Sequence, residues 1–409
     1  MANNTNKQRE QQMQRLRQER ARLEREQALA NDGRRASRQK KRDALKLVLG
    51  VCAVAVVALL LVLLLLSGRT YHEYKVVKKS DQEDIVSTNY VEMDGKILKY
   101  SPDGATLMTK GLQTVWNSTY KMENPVAYVR NNRAVIADID GTTIDIFNKS
   151  GKTGSVTTSY SIVKACVSAN GLVGAILDGG DATWINFYAS DGSLIAENQT
   201  RIDDPGYPLD LALSDNGVIM MVSYQFIDGS DTTSYVAFYN YGDVGQNEDN
   251  RIVSGYKYKG VVVPEVDYME GNKSVALRDD GFTLYSGRQI PKETDSFTVE
   301  KEIISTFHDD EMVGLVFKNE EADKLYTMEV YSSSGKLKFT RDFNIPYRSI
   351  KISDGNIIMF NSSQISVISE NGAEKYNGTV DGTIKDLFKI GLNRYLLILD
   401  SGVSVIKFS

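Results

Sequence analysis

A chain of 409 residues with 48 Lys/Arg against 53 Asp/Glu looks nearly neutral, but its charge is divided. Residues 1–46 carry 14 basic against 6 acidic side chains and leave 34 against 47 beyond them, which excludes a nucleic-acid binder and fits a chain straddling a bilayer. With only Cys52 and Cys166 in the chain, no disulfide framework is available; the larger part must stand on its apolar core, as suits the outside of a bacterium.

The first 46 residues are rich in Gln, Arg and Glu and lack aromatics. Met13, Leu16 and Leu23 trace part of a heptad, but Gln27 falls where the next apolar residue is due, so a coiled coil is not expected. Good helix formers over 5–30 allow a solvated helix with no face to bury. Arg34, Arg35, Arg38, Lys40, Lys41 and Arg42 crowd the end of this tail. Such a cluster attracts anionic lipid headgroups at about 1 kcal/mol per basic residue, and it also serves as a plain topology signal.

From Leu47 to Leu66 the sequence runs LVLGVCAVAVVALLLVLLLL without a charge. At about 1.5 Å per residue this run spans the roughly 30 Å hydrocarbon layer, and a transmembrane helix is expected over 47–67. A cleaved signal peptide would have a shorter apolar stretch and a small-x-small site, which Leu66-Ser67-Gly68-Arg69 lacks. Cys52 lies too early, behind Val51, to be a lipidation site. The excess of basic residues on the N-terminal flank places the tail in the cytoplasm and residues 68–409 outside.

Beyond Gly68 the pattern changes to short runs of Val, Ile, Leu, Tyr, Phe and Thr separated by Asp-Gly, Asn-Gly and Ser-Gly turns. A unit recurs whose third strand ends in an aromatic or apolar residue before a Gly turn: LKYSPDG at 98–104, IDIFNKSG at 144–151, INFYASDG at 185–192, VAFYNYGD at 236–243, TLYSG at 283–287, MEVYSSSG at 328–335 and ISVISENG at 365–372. The glycines are 37 to 50 residues apart, a period that predicts an all-β propeller of about eight four-stranded blades, with seven as the alternative. The last unit, IKDLFKI, RYLLILD and VSVIKFS, lacks a fourth strand, while YHEYKVV at 71–77 is an orphan; pairing the two closes the ring.

These repeats resemble the WD-repeat-like and quinoprotein-like propellers, and the order of tail, helix and propeller resembles an uncharacterised family of bacterial single-pass membrane proteins. The Gly-His and Trp-Asp dipeptides of true WD repeats are missing, and only Trp116 and Trp184 are present, so the Trp docking motifs of quinone enzymes are missing too. Neither SPDGATL at 101–107 nor SDNGVIM at 214–220 matches the sialidase Asp-box. The resemblance implies fold and topology, and no activity.

Little in the chain calls for catalysis. Its two histidines, His72 and His308, cannot supply a multi-histidine metal site, and His308 in HDDE at 308–311 reads as a loop residue. Asp-Gly pairs such as those in DIDG at 138–141 and RDDG at 278–281 are turn residues without calcium-loop spacing, and Cys166 reads as a small core residue. Six Asn-x-Ser/Thr sequons follow the apolar segment, at the frequency chance gives such strands. No cofactor and no metal are expected.

Tyr224, Phe226, Tyr239, Tyr241, Tyr256 and Tyr258 fall in or beside the longest connections and are the candidate binding residues, since Tyr is enriched at recognition surfaces. The leading expectation is a non-enzymatic scaffold or sensor in the plasma membrane that binds an extracytoplasmic protein or cell-wall ligand. The alternative is a glycan-active hydrolase or lyase with paired carboxylates in the propeller funnel, and the 47 acidic residues beyond the tail single out no pair. An assembly factor resembling the outer-membrane insertion propeller lipoproteins is disfavoured, because the expected anchor is a helix rather than a lipidated cysteine.

Overall fold

The computed structural model describes residues 69–80, 87–201, 205–229, 231–319 and 323–409, and in the N-terminal region residues 13, 17, 19–23, 25–26 and 45–58. The chain divides into two compact units, Met1–Arg69 and Thr70–Ser409. In the first, residues 45–58 are helical. The rest of the apolar run, and the basic residues Arg34, Arg35, Arg38, Lys40, Lys41 and Arg42, lie outside the described residues. Among the described residues no helix is long and apolar enough to cross a membrane. Of the expected 47–67 span, the described residues are 47–58.

The second unit is a ring of eight four-stranded antiparallel sheets, so the seven-blade alternative is discarded. Blades 1 to 7 take their strands in chain order and span residues 89–119, 125–157, 161–200, 207–259, 265–298, 303–343 and 349–379. Blade 8 is composite. Its first three strands are Ile384–Lys389, Arg394–Leu399 and Gly402–Phe408, and its outermost strand is Tyr74–Lys79 from the other end of the domain. Tyr74 lies opposite Phe408 and Lys75 opposite Lys407 in antiparallel register. The closure expected from the sequence is therefore present, displaced a few residues along the chain from 71–77. Tyr71 instead donates its backbone N–H to Lys375 O at 2.8 Å, pinning the incoming chain to blade 7.

Blades must bury both faces, because each sheet is flanked by two others. In the strand Arg133–Asp138, Ala134 and Ile136 pack toward blade 1, while Val135 and Ala137 pack toward blade 3. Second and third strands consequently read as continuous apolar runs rather than as clean alternation. Eight apolar clusters result, one at each blade–blade interface. The cluster joining Ile97 and Met108 of blade 1 to Phe388, Leu396, Ile398, Val403 and Val405 of blade 8 completes the circle.

The recurring glycine of the sequence pattern has a packing cause as well as a turn cause. Gly192 (φ +92°) lies against the outer strand of blade 2, where a Cβ would come within 2.2 Å of Ser155 O. Gly372 (φ +80°) lies on the Phe339 ring of blade 6, with 2.8 Å available. These two turns seat blade 3 on blade 2 and blade 7 on blade 6, and only Gly satisfies both the positive φ and the close approach there.

Candidate functional site

The first strand of every blade lies innermost, with its free edge turned to the axis. All eight carry charged or titratable side chains among their apolar residues: Glu92, Arg130, Lys164, Asp210, Asp267 with His308, Lys351 with Asp386 are the principal ones, taken round the ring. Each charged group of blades 3 to 8 meets its neighbour. Lys164 reaches Asp210 at 2.5 Å, His308 Nε2 faces Asp267 Oδ2 at 3.1 Å, and Lys351 pairs with Asp386. Register slips between Ile162 and Lys164, between Pro208 and Asp210, and between Ile384 and Asp386 precede three of these residues. Such bulges add a residue and re-aim the side chain that follows.

These polar groups serve the unpaired backbone of the innermost edges. Asp210 accepts from Leu211 N at 2.7 Å and, across to blade 5, from Val266 N at 2.9 Å. Arg348 of blade 7 donates to Ile384 O at 2.8 Å, and Ser353 Oγ accepts from Lys389 N at 2.9 Å while donating to Glu92 Oε2 at 2.7 Å. A buried carbonyl or N–H left without a partner would cost about 1–3 kcal/mol, so the ring is first of all a seal.

Arg130 has the longest reach. Standing at the end of the innermost strand of blade 2, it donates through Nε to Asp215 of blade 4 and through Nη1 to Tyr268 O of blade 5 and Asp310 of blade 6, each at 2.7 Å. Blades 2 and 6 are opposite in a ring of eight, so this side chain bolts the axis. Burial opposes its charge, but Asp310, Asp267 and Asp215 outweigh that and raise its pKa.

His308 belongs to the same cluster and is not the free loop residue the sequence suggested. It ends the strand Ile303–His308, and although burial disfavours its charged form, the hydrogen bond and charge of Asp267, with Glu265 and Asp309, push its pKa up to about 9. Burial likewise opposes ionisation of Asp267, and His308 and Arg130 reverse this and hold its pKa below the usual value. The imidazolium's contribution to stability is complete below its unfolded value of 6.5 and is lost as the pH climbs through about 9. The carboxylate's contribution is complete above 3.8 and is lost as the pH falls through its lowered pKa.

Glu92, Asp210, Asp310 and Asp386 are raised above the ordinary carboxylate range, in each case chiefly by burial. The funnel therefore does carry carboxylates, as a glycan-cleaving site requires. Each of these four is bonded to a cation, a hydroxyl or a backbone N–H. Asp309 caps Glu311 N and Met312 N, and among the described residues no group of three or more His, Cys, Asp and Glu is arranged to hold a metal. Cys166 is buried between blades 3 and 4, and burial raises its pKa far above a reactive thiol's.

The candidate aromatics are placed differently from the sequence expectation, on strands rather than in loops. Tyr224 and Phe226 lie on Ile219–Asp228, Tyr239 on Asp231–Asn240, and Tyr256 and Tyr258 on Ile252–Lys259. Tyr224 is fully buried with its hydroxyl 2.6 Å from that of Tyr239, and Tyr241 stacks on Phe187 at 4.4 Å. Tyr256 donates to Pro291 O at 3.2 Å, and Tyr258 is hydrogen-bonded to Tyr285. These five pack blade 4 against blades 3 and 5. Phe226 is the exception, half-buried beneath Lys257 Nζ at 5.5 Å.

Residues 226–228 and 231–233 extend the blade 4 hairpin. Its two strands have 10 residues each, and Ile227 near the tip is 78% exposed. Below this hairpin a groove of about 510 Å³ separates the outer strand of blade 3, Leu194–Thr200, from the flank of blade 4. Phe226 and Tyr239 are the candidate residues that line it. Missed from the sequence were the axial pairs and Arg130; their signal is one charged residue inside an otherwise apolar first strand, repeated from blade to blade.

The fold has counterparts of low identity among solved structures. BamB from Moraxella catarrhalis matches with a TM-score of 0.46 at 13% identity, covering 82% of this chain and 100% of its own. A eukaryotic initiation factor matches at 0.51 and 12%, covering 81% and 88%, and Hsv2 from Kluyveromyces lactis at 0.42 and 12%, covering 71% and 97%. At these identities the likeness is of fold alone. No curated protein sequence matches the chain. A family model does match, over residues 67–408, and by it the chain belongs to the family of unknown function DUF5711.

Proposed function

We propose that the protein is a membrane-anchored, extracytoplasmic binding propeller that holds a protein or cell-envelope ligand on its outer surface and performs no catalysis of its own. The anchor rests on the uncharged run from Leu47 to Leu66 and its basic cytoplasmic flank, the bacterial envelope on the scarcity of cysteine. The observation that carries the binding role is the contrast between axis and flank. At the axis the charged groups are spent on one another and on strand edges, whereas blade 4 outgrows the ring and raises Ile227 into solvent above a polar groove. Loops and extensions on a rigid scaffold are where binding surfaces are built.

Replacing residues 226–233 by a two-residue turn shortens this hairpin to the length of its counterparts while the rest of the blade keeps its pairing. Crosslinking of intact cells followed by mass spectrometry is expected to show the loss of most propeller-linked partners in that variant, with normal protein levels. An unchanged set of crosslinks would remove blade 4 from the binding surface.

A further inference from the structure

We infer that the groove between blades 3 and 4 is a binding site for a neutral saccharide chain. This rests on the reading of the propeller as a surface binder and names the ligand of one flank. The groove's volume, about 510 Å³, lies within the roughly 300–1,000 Å³ typical of small-ligand sites.

Its floor is aromatic. Tyr235 and Phe226 are on neighbouring strands of blade 4, and Gly255 on the outer strand, two residues from the Lys257 that faces Tyr235, is what lets the Tyr235 ring lie across that strand: a Cβ there would come within 2.2 Å of the Tyr235 hydroxyl. Lys257 spans the two rings, 5.5 Å from Phe226 and 5.9 Å from Tyr235. The rim consists of planar groups that donate and accept. Glu197 and Gln199 stand on the blade 3 side and Asn250 on the blade 4 side. Glu197 is preset, its carboxylate taking a bond from Asn186 Nδ2 at 3.3 Å.

Flat rings meet the C–H faces of a pyranose, and carboxamide and carboxylate groups bridge vicinal hydroxyls with paired donors and acceptors. Among the described residues that line it, one Glu is matched by one Lys, so these favour neither an anion nor a cation. The third strand of blade 4 contributes to the floor, and the outer strand of blade 3 forms one wall, so the groove offers a sheet face on one side and a strand edge on the other. An extended peptide binds by adding a strand to such an edge and needs no aromatic floor, which makes a neutral peptide the competitor to test.

The test uses the full-length chain in lipid nanodiscs, titrated calorimetrically with chitotriose, cellotriose and a neutral alanine pentapeptide. At least one trisaccharide is expected to bind, the pentapeptide is not, and Phe226→Ala and Gln199→Ala each weaken the saccharide about tenfold by removing a stacking face or a hydrogen bond. Gln199 is exposed, so its truncation leaves the fold intact and keeps the result readable if Phe226→Ala unfolds. The inference is overturned if neither trisaccharide binds at millimolar concentration, if the pentapeptide binds in their place, or if binding ignores both substitutions. Failure of the saccharides with the cellular crosslinks to blade 4 intact would discard the ligand and keep the surface.

Discussion

Truncating the chain after Ser401 is expected to prevent the propeller from folding. The deleted strand, Gly402–Phe408, is the third strand of blade 8, paired with Arg394–Leu399 on one side and Tyr74–Lys79 on the other. It buries Val403, Val405, Ile406 and Phe408, split between the clusters that join blade 8 to blades 1 and 7. Burial of four such side chains at about 1.5–3 kcal/mol each approaches or exceeds the roughly 5–15 kcal/mol by which a whole domain is stable. Circular dichroism and urea titration of the purified variant should show no cooperative transition. The point substitution Phe408→Ala tests the same contacts more gently. Its ring stacks on Tyr376 at 4.1 Å and on Tyr395 at 4.4 Å, and a loss of about 3–5 kcal/mol is expected. A truncated chain that melts like the intact one would contradict the composite blade.

Arg130→Ala is the second large effect. The substitution orphans Tyr268 O and leaves Asp215 and Asp310 facing the axis without their cation. Breaking a fully buried pair costs about 3–5 kcal/mol, but both carboxylates are about half exposed, so about 2–3 kcal/mol is expected here, read as a shift of the urea midpoint at constant slope. Arg130→Lys restores charge without the fork that reaches three blades, and it should recover only part of the loss. An unchanged midpoint for Arg130→Ala would mean that blades 2 and 6 are held by apolar packing alone.

The architecture was legible because its determinants are local and repeated. Apolar runs such as IDIF and INFY, each followed within a few residues by a glycine, mark the third strand and the turn that follows it. The orphan strand near residue 74 was legible too, since a final unit of three strands demands a fourth. The blade 4 hairpin was misread because Gln225, Asp228 and Gly229 carry the composition of a turn, and length alone distinguishes a protruding hairpin from a loop. Tyr224 and Tyr239 were taken for surface residues for the same reason, although a strand flanked by blades on both faces has no polar side to expose.

The axial cluster was invisible for a different reason. Its pairs join residues 35 to 180 positions apart, as in Lys351 with Asp386 and Arg130 with Asp310, and no periodicity links them. What the sequence does contain is the anomaly of charge inside otherwise apolar first strands, as in IVKAC, LDLAL and VDYM. A buried charge is rare unless paired, so such a residue points to a partner on an adjacent blade.

The most direct measurement is a disulfide across the seam of the ring. Lys75 and Lys407 lie opposite each other at the two ends of the domain's sequence, joined in space only if Tyr74–Lys79 completes the last blade. In a chain with Cys52 replaced by Ala, Lys75→Cys and Lys407→Cys should oxidise to a single intramolecular bond that links no two chains and raises the melting temperature. Free thiols that resist oxidation in the folded protein, or bonds formed only between molecules, would show that the ends do not meet and that the wheel is not closed in this way.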